Sequence, residues 1–596
     1  MYSLTLTESY CPAQTDQRLL NLTVGDVLRA AAAKTPDAPA LHEADADGIL
    51  RRHWTYAELL AASERLAHAL LTRYRPGERI AVWAPNIPEW IIAEFGFAMA
   101  GIVLVTVNPG YQPRELKYVL EQSRAVGLLL VKEHRGNQLA KIAADVVADI
   151  PAIREVIDME DHAALFREAG ATGSLPEVDP RDAVQIQYTS GTTGFPKGVV
   201  LHHYGLTNNA RHAFARIGLD DGGTVVLYLP LFHTAGCGCY VMGSVQCGRK
   251  IVLMRHFDAQ IANALIESER AIIFGGVPTM IVAMLEADAV FPRDFSSVQV
   301  INSGAALASP ELIRQACDRL GCGFSNVYGQ TESSPLLTMS RPNDPFEDLC
   351  ETVGQPMPHT ELSIRDPATN TIVPLATVGE ICARAYSLML GYNDDPEATA
   401  RTIDLEGWLH TGDLGTMDSR GFVKVTGRVK EMIIRGGENL FPAEIENILL
   451  EHPDVAEVAV VGVPDPRMGE AVAAFVRMAA GASLDPTGLI AHCRANIAAH
   501  KTPTHWIEVA EFPLTGSGKV QKFVLRDRWV AEDSANDVLP PAGLPRRPTR
   551  RGSYPNYRGS RRPERHVMEP RRARCRARRG GAGRLRYRSR SGIRRA

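Results

Sequence analysis

The sequence predicts an α/β protein. A large N-terminal domain of mostly parallel sheets flanked by helices is followed by a small α+β C-terminal domain. Three observations carry this expectation. Strand-like and helix-like stretches alternate from about residue 79, and a βαβα order implies parallel strands with helices on both faces. After Gly427 the texture shifts to shorter units over about 100 residues, enough for a domain with its own core. The chain has 596 residues, 45% of them hydrophobic and 22% charged, the composition of a soluble globular protein with several domains. The expected division is 1–427, 428–531 and a tail at 532–596.

In chain order, 79–83 reads as a strand and 88–100 as a helix opened by Pro88. The longest apolar stretch runs from Phe95 to Val107, 13 residues with Thr106 inside it. A spanning helix needs about 20 residues, so this stretch reads as the end of that helix, a turn at Gly101 and a core strand over 103–107. A helix over 113–122 and a strand over 127–131 follow. Val184 to Tyr188 alternates apolar and polar residues as a strand does. The alternation is expected to continue past residue 400. In the C-terminal part, a helix is expected over 444–450 behind Pro442, strands over 455–463 and 473–478, and a helix over 484–499.

Beyond about Glu532 periodicity ends and Pro, Gly, Ser and Arg dominate, so disorder is expected. Residues 546–596 hold 20 Arg and no Lys against two acids, Glu564 and Glu569, which leaves the body of the chain strongly acidic under a net charge of −3. One reading of this tail is a nucleic-acid or acidic-lipid binding arm. The other is a frame-shifted terminus, because GC-rich codons read out of frame yield Arg, Gly, Pro and Ala; arginine without lysine favours it. Ten cysteines lie scattered without C-x-x-C pairs. They read as reduced thiols of a cytosolic protein rather than a disulfide framework or zinc site. No basic segment followed by an apolar run opens the chain, so no signal peptide is expected. The expected location is cytoplasmic, with peripheral membrane association left open.

After the strand comes Thr189-Ser190-Gly191-Thr192-Thr193-Gly194-Phe195-Pro196-Lys197-Gly198. Glycine lets the backbone approach an anion, hydroxyls and main-chain N–H groups donate hydrogen bonds, and lysine supplies charge. This is phosphate-cradle chemistry at a sheet edge, where α/β proteins bind nucleotides. A P-loop requires Gly-x4-Gly-Lys-Ser/Thr, whereas Gly191, Gly194 and Lys197 are spaced Gly-x2-Gly-x2-Lys. Around Gly518-Lys519 that pattern also fails, with Pro513 in place of the first glycine and Val520 after the lysine.

The full string resembles the phosphate-loop signature of the adenylate-forming superfamily, which holds the acyl-CoA synthetases, the beetle luciferases and the adenylation domains of peptide synthetases. Further segments fit in the right order over about 30–530. Asn302-Ser303-Gly304-Ala305-Ala306 resembles the segment that packs against adenine and the reacting carboxylate, here through Gly304 and Ala305. Tyr328-Gly329-Gln330-Thr331-Glu332-Ser333 is similar to the second nucleotide motif; the resemblance implies that Thr331 bonds the α-phosphate and Glu332 holds Mg²⁺. In Trp408-Leu409-His410-Thr411-Gly412-Asp413, Asp413 matches the aspartate that grips the ribose hydroxyls, and an acceptor-only carboxylate suits a diol. Arg428 matches an arginine that contacts the nucleotide, and Lys430 falls at the family's domain hinge. Gly436-Gly437 matches the loop that flanks the CoA pantetheine. Lys519, in Pro513-Leu514-Thr515-Gly516-Ser517-Gly518-Lys519-Val520, matches the catalytic lysine. Alone, Lys430 and Lys519 would read as exposed lysines; the ordered set gives them roles. The resemblance further implies that the C-terminal domain is a mobile lid.

The implied function is ATP-dependent activation of a carboxylic acid to acyl-AMP, then transfer to CoA, with ATP, Mg²⁺ and CoA as cofactor and co-substrates. Phe232 is followed by His233 where amino-acid-activating relatives carry an aspartate, and no acid occurs through Met242. A buried ammonium would lack its partner, so amino acids are disfavoured. His233 is read either as a gate to the acyl or thiol channel or as a packed core histidine. Small residues at Ala235, Gly236, Gly238, Gly275 and Gly276 suggest room for an alkyl chain. Segments such as 413–446 and 353–360 look most like medium-chain and related fatty acyl-CoA synthetases. The alternatives are a fatty acyl-AMP ligase serving a carrier protein, an aryl-CoA ligase, and an inactive nucleotide-binding scaffold with a nucleic-acid-binding tail. Nucleic acid is disfavoured as a partner while Lys519, Glu332 and Asp413 are intact, and oligomeric state is not legible.

Overall fold

The computed structural model describes residues 1–537 apart from 169–172, 190–195, 220, 307, 437, 480 and 514–519. The first half of the chain builds as its pattern predicts. The strand Arg79–Trp83, the helix Pro88–Ala100 and the strand Val103–Val107 fall at their expected bounds. Pro88 opens the helix because its missing N–H would be unbonded there in any case. Gly101 closes it at φ 67°, a left-handed conformation that costs glycine little. All 13 residues of this helix are buried, which explains an apolar run without an amphipathic stripe.

Among the described residues the strands gather into five sheets. The seven-stranded sheet has the order Gly391–Tyr392, Lys197–His202, Ala183–Thr189, Val103–Val107, Arg79–Trp83, Gly127–Leu130, Glu155–Asp158. Its last five strands are parallel. A second sheet pairs Thr224–Leu227, Lys250–Met254 and Pro39–Ala44 in parallel, with Leu50–Thr55 antiparallel at its edge. In a third, Ile273–Gly276, Val300–Ser303 and Gly323–Gly329 are parallel, and Leu336–Met339 then turns back.

Beyond that point the structure departs from the expected alternation. Tyr10–Cys11, Thr360–Arg365, Gly379–Ala385, Leu409–Met417 and Val423–Arg428 form a wholly antiparallel sheet. Only the short helices Phe346–Glu351 and Pro396–Thr402 occur in this region. A parallel crossover needs a dozen or more residues, usually helical, so these strands fold back on one another instead.

The C-terminal sheet comprises Ile433–Arg435, Glu438–Leu440, Val455–Asp465, Gly469–Met478 and His505–Glu508. The helices Pro442–Leu450 and Pro486–Asn496 pack on it. The second of these is shorter than expected, because Asp485 caps it and Pro486 opens it. Ile433, Ile445, Leu449, Val460, Val472 and Leu489 share an interior of their own here. The molecule is thus a large α/β N-terminal part joined to a small α+β C-terminal part. Among the described residues nine cysteines are free thiols, and no helix is long and apolar enough to cross a membrane.

Candidate active site

Thr189 ends the strand Ala183–Thr189, and Lys197 begins Lys197–His202; the two are register partners in an antiparallel pair. That pairing fixes both ends of the expected phosphate loop. Ser190, Gly191, Thr192, Thr193, Gly194 and Phe195 lie outside the described residues, while Pro196 stands at the foot of the loop next to Lys197. The Lys197 ammonium sits 4.4 Å from the centre of the Tyr392 ring, a cation–π contact.

Tyr392 joins this corner to Glu332. Its hydroxyl donates to Glu332 Oε1 at 2.8 Å. Glu332 is 8% exposed and follows Thr331 in a short turn, Thr331–Ser333, directly after the strand Gly323–Gly329. Burial raises the Glu332 carboxyl above its ordinary pKa, and the nearby Asp413 charge adds to this; the Tyr392 hydroxyl and the Lys197 charge oppose it. A carboxylate so placed is short of positive charge.

A second group of side chains comes from the antiparallel sheet. Asp413 and Arg428 face each other in register, with Arg428 Nε 3.1 Å from Asp413 Oδ1. The Tyr328 hydroxyl donates to Asp413 Oδ2 at 2.9 Å, which binds this corner to the strand that delivers Thr331 and Glu332. Gly329 has no room for a side chain, since a Cβ there would stand 2.0 Å from the Pro335 carbonyl oxygen. At Gly304 a Cβ would meet Val327 Cγ2 at 2.6 Å, and Ala305 follows, exposed, at φ 70°. The structure thus gathers Thr189, Lys197, Tyr328, Thr331, Glu332, Asp413 and Arg428 along linked strands.

His410, three residues before Asp413, is a site element that sequence reasoning passed over. Its Nδ1 lies 2.9 Å from Glu380 and 3.5 Å from Cys382 Sγ, and its Nε2 3.4 Å from Asp404. These bonds push the imidazole pKa up to about 10, the Cys382 contact contributing most and Glu380 next. Glu380 also accepts from the Gly412 N–H at 2.9 Å, so the same carboxylate sets the turn that presents Asp413.

The remaining expectations divide. His233 is exposed and its Nδ1 accepts from the Ala235 N–H at 3.1 Å, so it is not a packed core histidine. The small residues around it do not leave open space. A Cβ at Gly236 would stand 2.2 Å from the Pro230 carbonyl oxygen, one at Gly238 2.9 Å from Leu206, and one at Gly275 2.7 Å from the Tyr240 hydroxyl. Close packing by itself requires glycine at these three positions.

Lys430 lies exposed in the turn Val429–Glu431. Gly436, at φ 62°, donates its N–H to the Met468 carbonyl at 2.7 Å, while Gly437 is outside the described residues. Lys519 also lies outside them, but its flanks are described. The Gln521 N–H donates to the Pro513 carbonyl at 2.8 Å and closes the base of that segment. Lys522, just beyond, is buried against Glu446 at 2.8 Å and Glu431 at 3.1 Å. Its pKa is raised because the two carboxylates outweigh the opposing effect of burial.

Thr189 and Lys197 at a strand edge, the buried Glu332 and the Asp413–Arg428 pair thus stand on one connected framework. Residues 28–393 match the model of the AMP-binding enzyme family, and 444–519 match that of the AMP-binding enzyme C-terminal domain. The chain belongs to the AMP-binding enzyme family. It is 35% identical over 541 residues to YngI of Bacillus subtilis (strain 168), which carries an acyl-CoA synthetase name, spanning 86% of this chain and 98% of that one. It is 36% identical over 557 residues to the mitochondrial medium-chain acyl-CoA ligase ACSF2 of Bos taurus, covering 87% and 89%. Among solved structures, ATP-bound MatB from Rhodopseudomonas palustris aligns with a TM-score of 0.76 at 27% identity, covering 86% of this chain and 99% of that one.

Proposed function

We infer that the protein is an AMP-forming acid–thiol ligase that activates a fatty acid, medium- or long-chain, and passes it to CoA. The observation that supports this best is the linked set of Lys197, Glu332, Tyr328, Asp413 and Arg428 around the hairpin that carries the 190–195 loop. The acid oxygen is a poor leaving group for attack by a thiol. In the first step the carboxylate attacks the α-phosphorus of ATP, giving RCO-AMP and pyrophosphate. In the second the thiol of CoA displaces AMP.

This chain's residues divide the work. Asp413 accepts from the ribose hydroxyls, held in place by Arg428 and Tyr328. The loop from Thr189 to Lys197 and the hydroxyl of Thr331 donate to phosphate oxygens. Such displacements depend on positioning and charge neutralisation. Glu332 suits Mg²⁺, since a single carboxylate beside nucleotide oxygens and water is a usual Mg²⁺ environment, and burial with a deficit of positive charge favours a cation there. Magnesium supplies neutralisation of phosphate charge when bound. Lys519 supplies a second positive charge during adenylation.

In this reading the small domain begins at 428 and turns about Lys430 between the two steps, withdrawing Lys519 and bringing Gly436-Gly437 to the thiol. Arg428 is held on the large part by Asp413, and Glu431 on the small part by Lys522. Val429-Lys430 lies between these two anchors, which supports the hinge assignment. The test is pyrophosphate release with Mg²⁺, ATP and a panel of fatty acids from short to long chain plus aryl acids, then thioester formation on addition of CoA. Release with fatty acids and a CoA-dependent product is the expected result; no release with any acid would refute it.

A further inference from the structure

We propose that Glu94 is a positioning residue for Thr331, acting through a buried relay of Gln185, Gln187 and Thr234, on the reading above that Thr331 contacts the α-phosphate. Glu94 sits in the fully buried helix Pro88–Ala100, itself 1% exposed. Burial pushes its carboxyl up to about 8. Nothing in the reaction uses it directly, yet it is not isolated. Gln185 Nε2 donates to Glu94 Oε1 at 2.7 Å. Gln187 Nε2 donates to Gln185 Oε1 at 2.7 Å and reaches Cys237 Sγ at 3.2 Å. The Thr234 hydroxyl donates to Gln187 Oε1 at 2.9 Å and lies 3.5 Å from Thr331 Oγ1.

These side chains occupy a place where apolar ones are the rule. Gln185 and Gln187 point to one face of the strand Ala183–Thr189, and both are buried. A strand inside a sheet covered on both faces normally carries hydrophobic side chains on both. Buried amides are costly unless bonded. Here both amides are bonded at nitrogen and at oxygen, Glu94 Oε2 is buried without a hydrogen-bond partner, and the bonds of the relay run in one direction. Glu94 accepts from the Gln185 amide nitrogen, so the Gln185 carbonyl faces Gln187. Gln187 must then present its own nitrogen backward and its carbonyl to Thr234. The Thr234 proton is thereby committed to Gln187, and Thr331 keeps its own proton for a phosphate oxygen.

The far end of the relay is built for this contact. Thr234 and Cys237 sit at the start of Ala235–Val241, a stretch wound as a π-helix, a form that occurs often at functional sites. Without the Glu94 acceptor, both amides are free to turn over. The Thr234 proton then has two destinations, and Thr331 samples arrangements that do not serve the nucleotide.

The test is ATP–pyrophosphate exchange on the full chain with the best acid from the panel, comparing Glu94→Leu, Glu94→Gln, Thr331→Val and the double variant Glu94→Leu/Thr331→Val. Glu94→Leu should lower kcat by about tenfold, the loss expected for one misdirected hydrogen bond, with little change in KM for ATP. Glu94→Gln keeps an accepting carbonyl and should restore most of the rate. Distant, independent sites give additive effects, so the double variant should be no slower than Thr331→Val alone. Should Glu94→Leu not fold, Gln187→Leu interrupts the same relay one link from Thr234 and carries the same expectations. Wild-type turnover in Glu94→Leu beside an impaired Thr331→Val, or additive losses in the double variant, would overturn the relay. Wild-type turnover in Thr331→Val would remove the nucleotide reading of Thr331, and the relay with it.

Discussion

At the scale of single residues, the site depends on carboxylates whose partners differ. Asp413 is paired with an arginine and accepts from a tyrosine, whereas Glu332 accepts from a tyrosine and has the Lys197 charge near it. Asp413→Asn keeps the shape but weakens both the ribose contact and the Arg428 pair. Hydrogen bonds to charged groups contribute about 1.5–3 kcal/mol, so KM for ATP should rise by about tenfold or more in steady-state assays; an unchanged KM would remove Asp413 from the ribose. Lys519→Ala should block ATP-dependent adenylation, since one lost charge-stabilising donor costs about 3–4 kcal/mol. It should spare thioester formation from supplied acyl-AMP, and equal loss of both half-reactions would contradict that role. Thr189, Lys197, Asp413 and Arg428 were legible because their motifs are local strings. Tyr392 and Glu94 were not. Each meets its partner across a long stretch of chain, Tyr392 with Glu332 and Glu94 with Gln185, and no spacing within the sequence announces such a meeting.

At the scale of elements, the helix and strands between 79 and 107 could be read residue by residue, because proline and glycine mark the helix ends and the strands are unbroken apolar runs. The antiparallel sheet from Thr360 to Arg428 could not. Its alternating strands resemble those of a βαβ unit, and the direction of pairing follows from short connections that carry no residue signature. That sheet owes part of its stability to His410. Its pKa is raised from 6.5 to about 10, so the stabilising contribution is complete below about pH 6.5 and is lost as pH rises through about 10. Urea unfolding should show wild-type stability falling across this window, with a shallower fall in His410→Gln. Identical pH dependence in the two proteins would contradict the assignment. In the turn Val429–Glu431, Lys430→Pro fixes φ and should impair thioester formation more than adenylation, measured as separate half-reactions. Normal overall turnover would count against the hinge.

At the scale of the whole molecule, five sheets enclose several interiors, and the sheet of residues 433–508 shares no strand with the others among the described residues. A large α/β part followed by a small α+β part was legible from the change in texture late in the chain, whereas the number of sheets was not, because sheet membership depends on pairing between distant strands. On the proposed reading the site draws on strands up to Val423–Arg428 and on the C-terminal part, and none of its assigned residues lies beyond Lys519. A chain ending at residue 537 should therefore release pyrophosphate at the wild-type rate with the same acids. A large loss would give the arginine-rich stretch a catalytic part.

Separate interiors also make the C-terminal module portable. A cut within Val429-Lys430 crosses one strand of backbone and opens neither interior, so a counterpart grafted there from a relative would arrive with its own hydrophobic filling already complete. Such a graft would bring its own counterparts of Lys519 and of Gly436-Gly437, so on the proposed reading the incoming module must supply the adenylation lysine together with the thiol-facing loop.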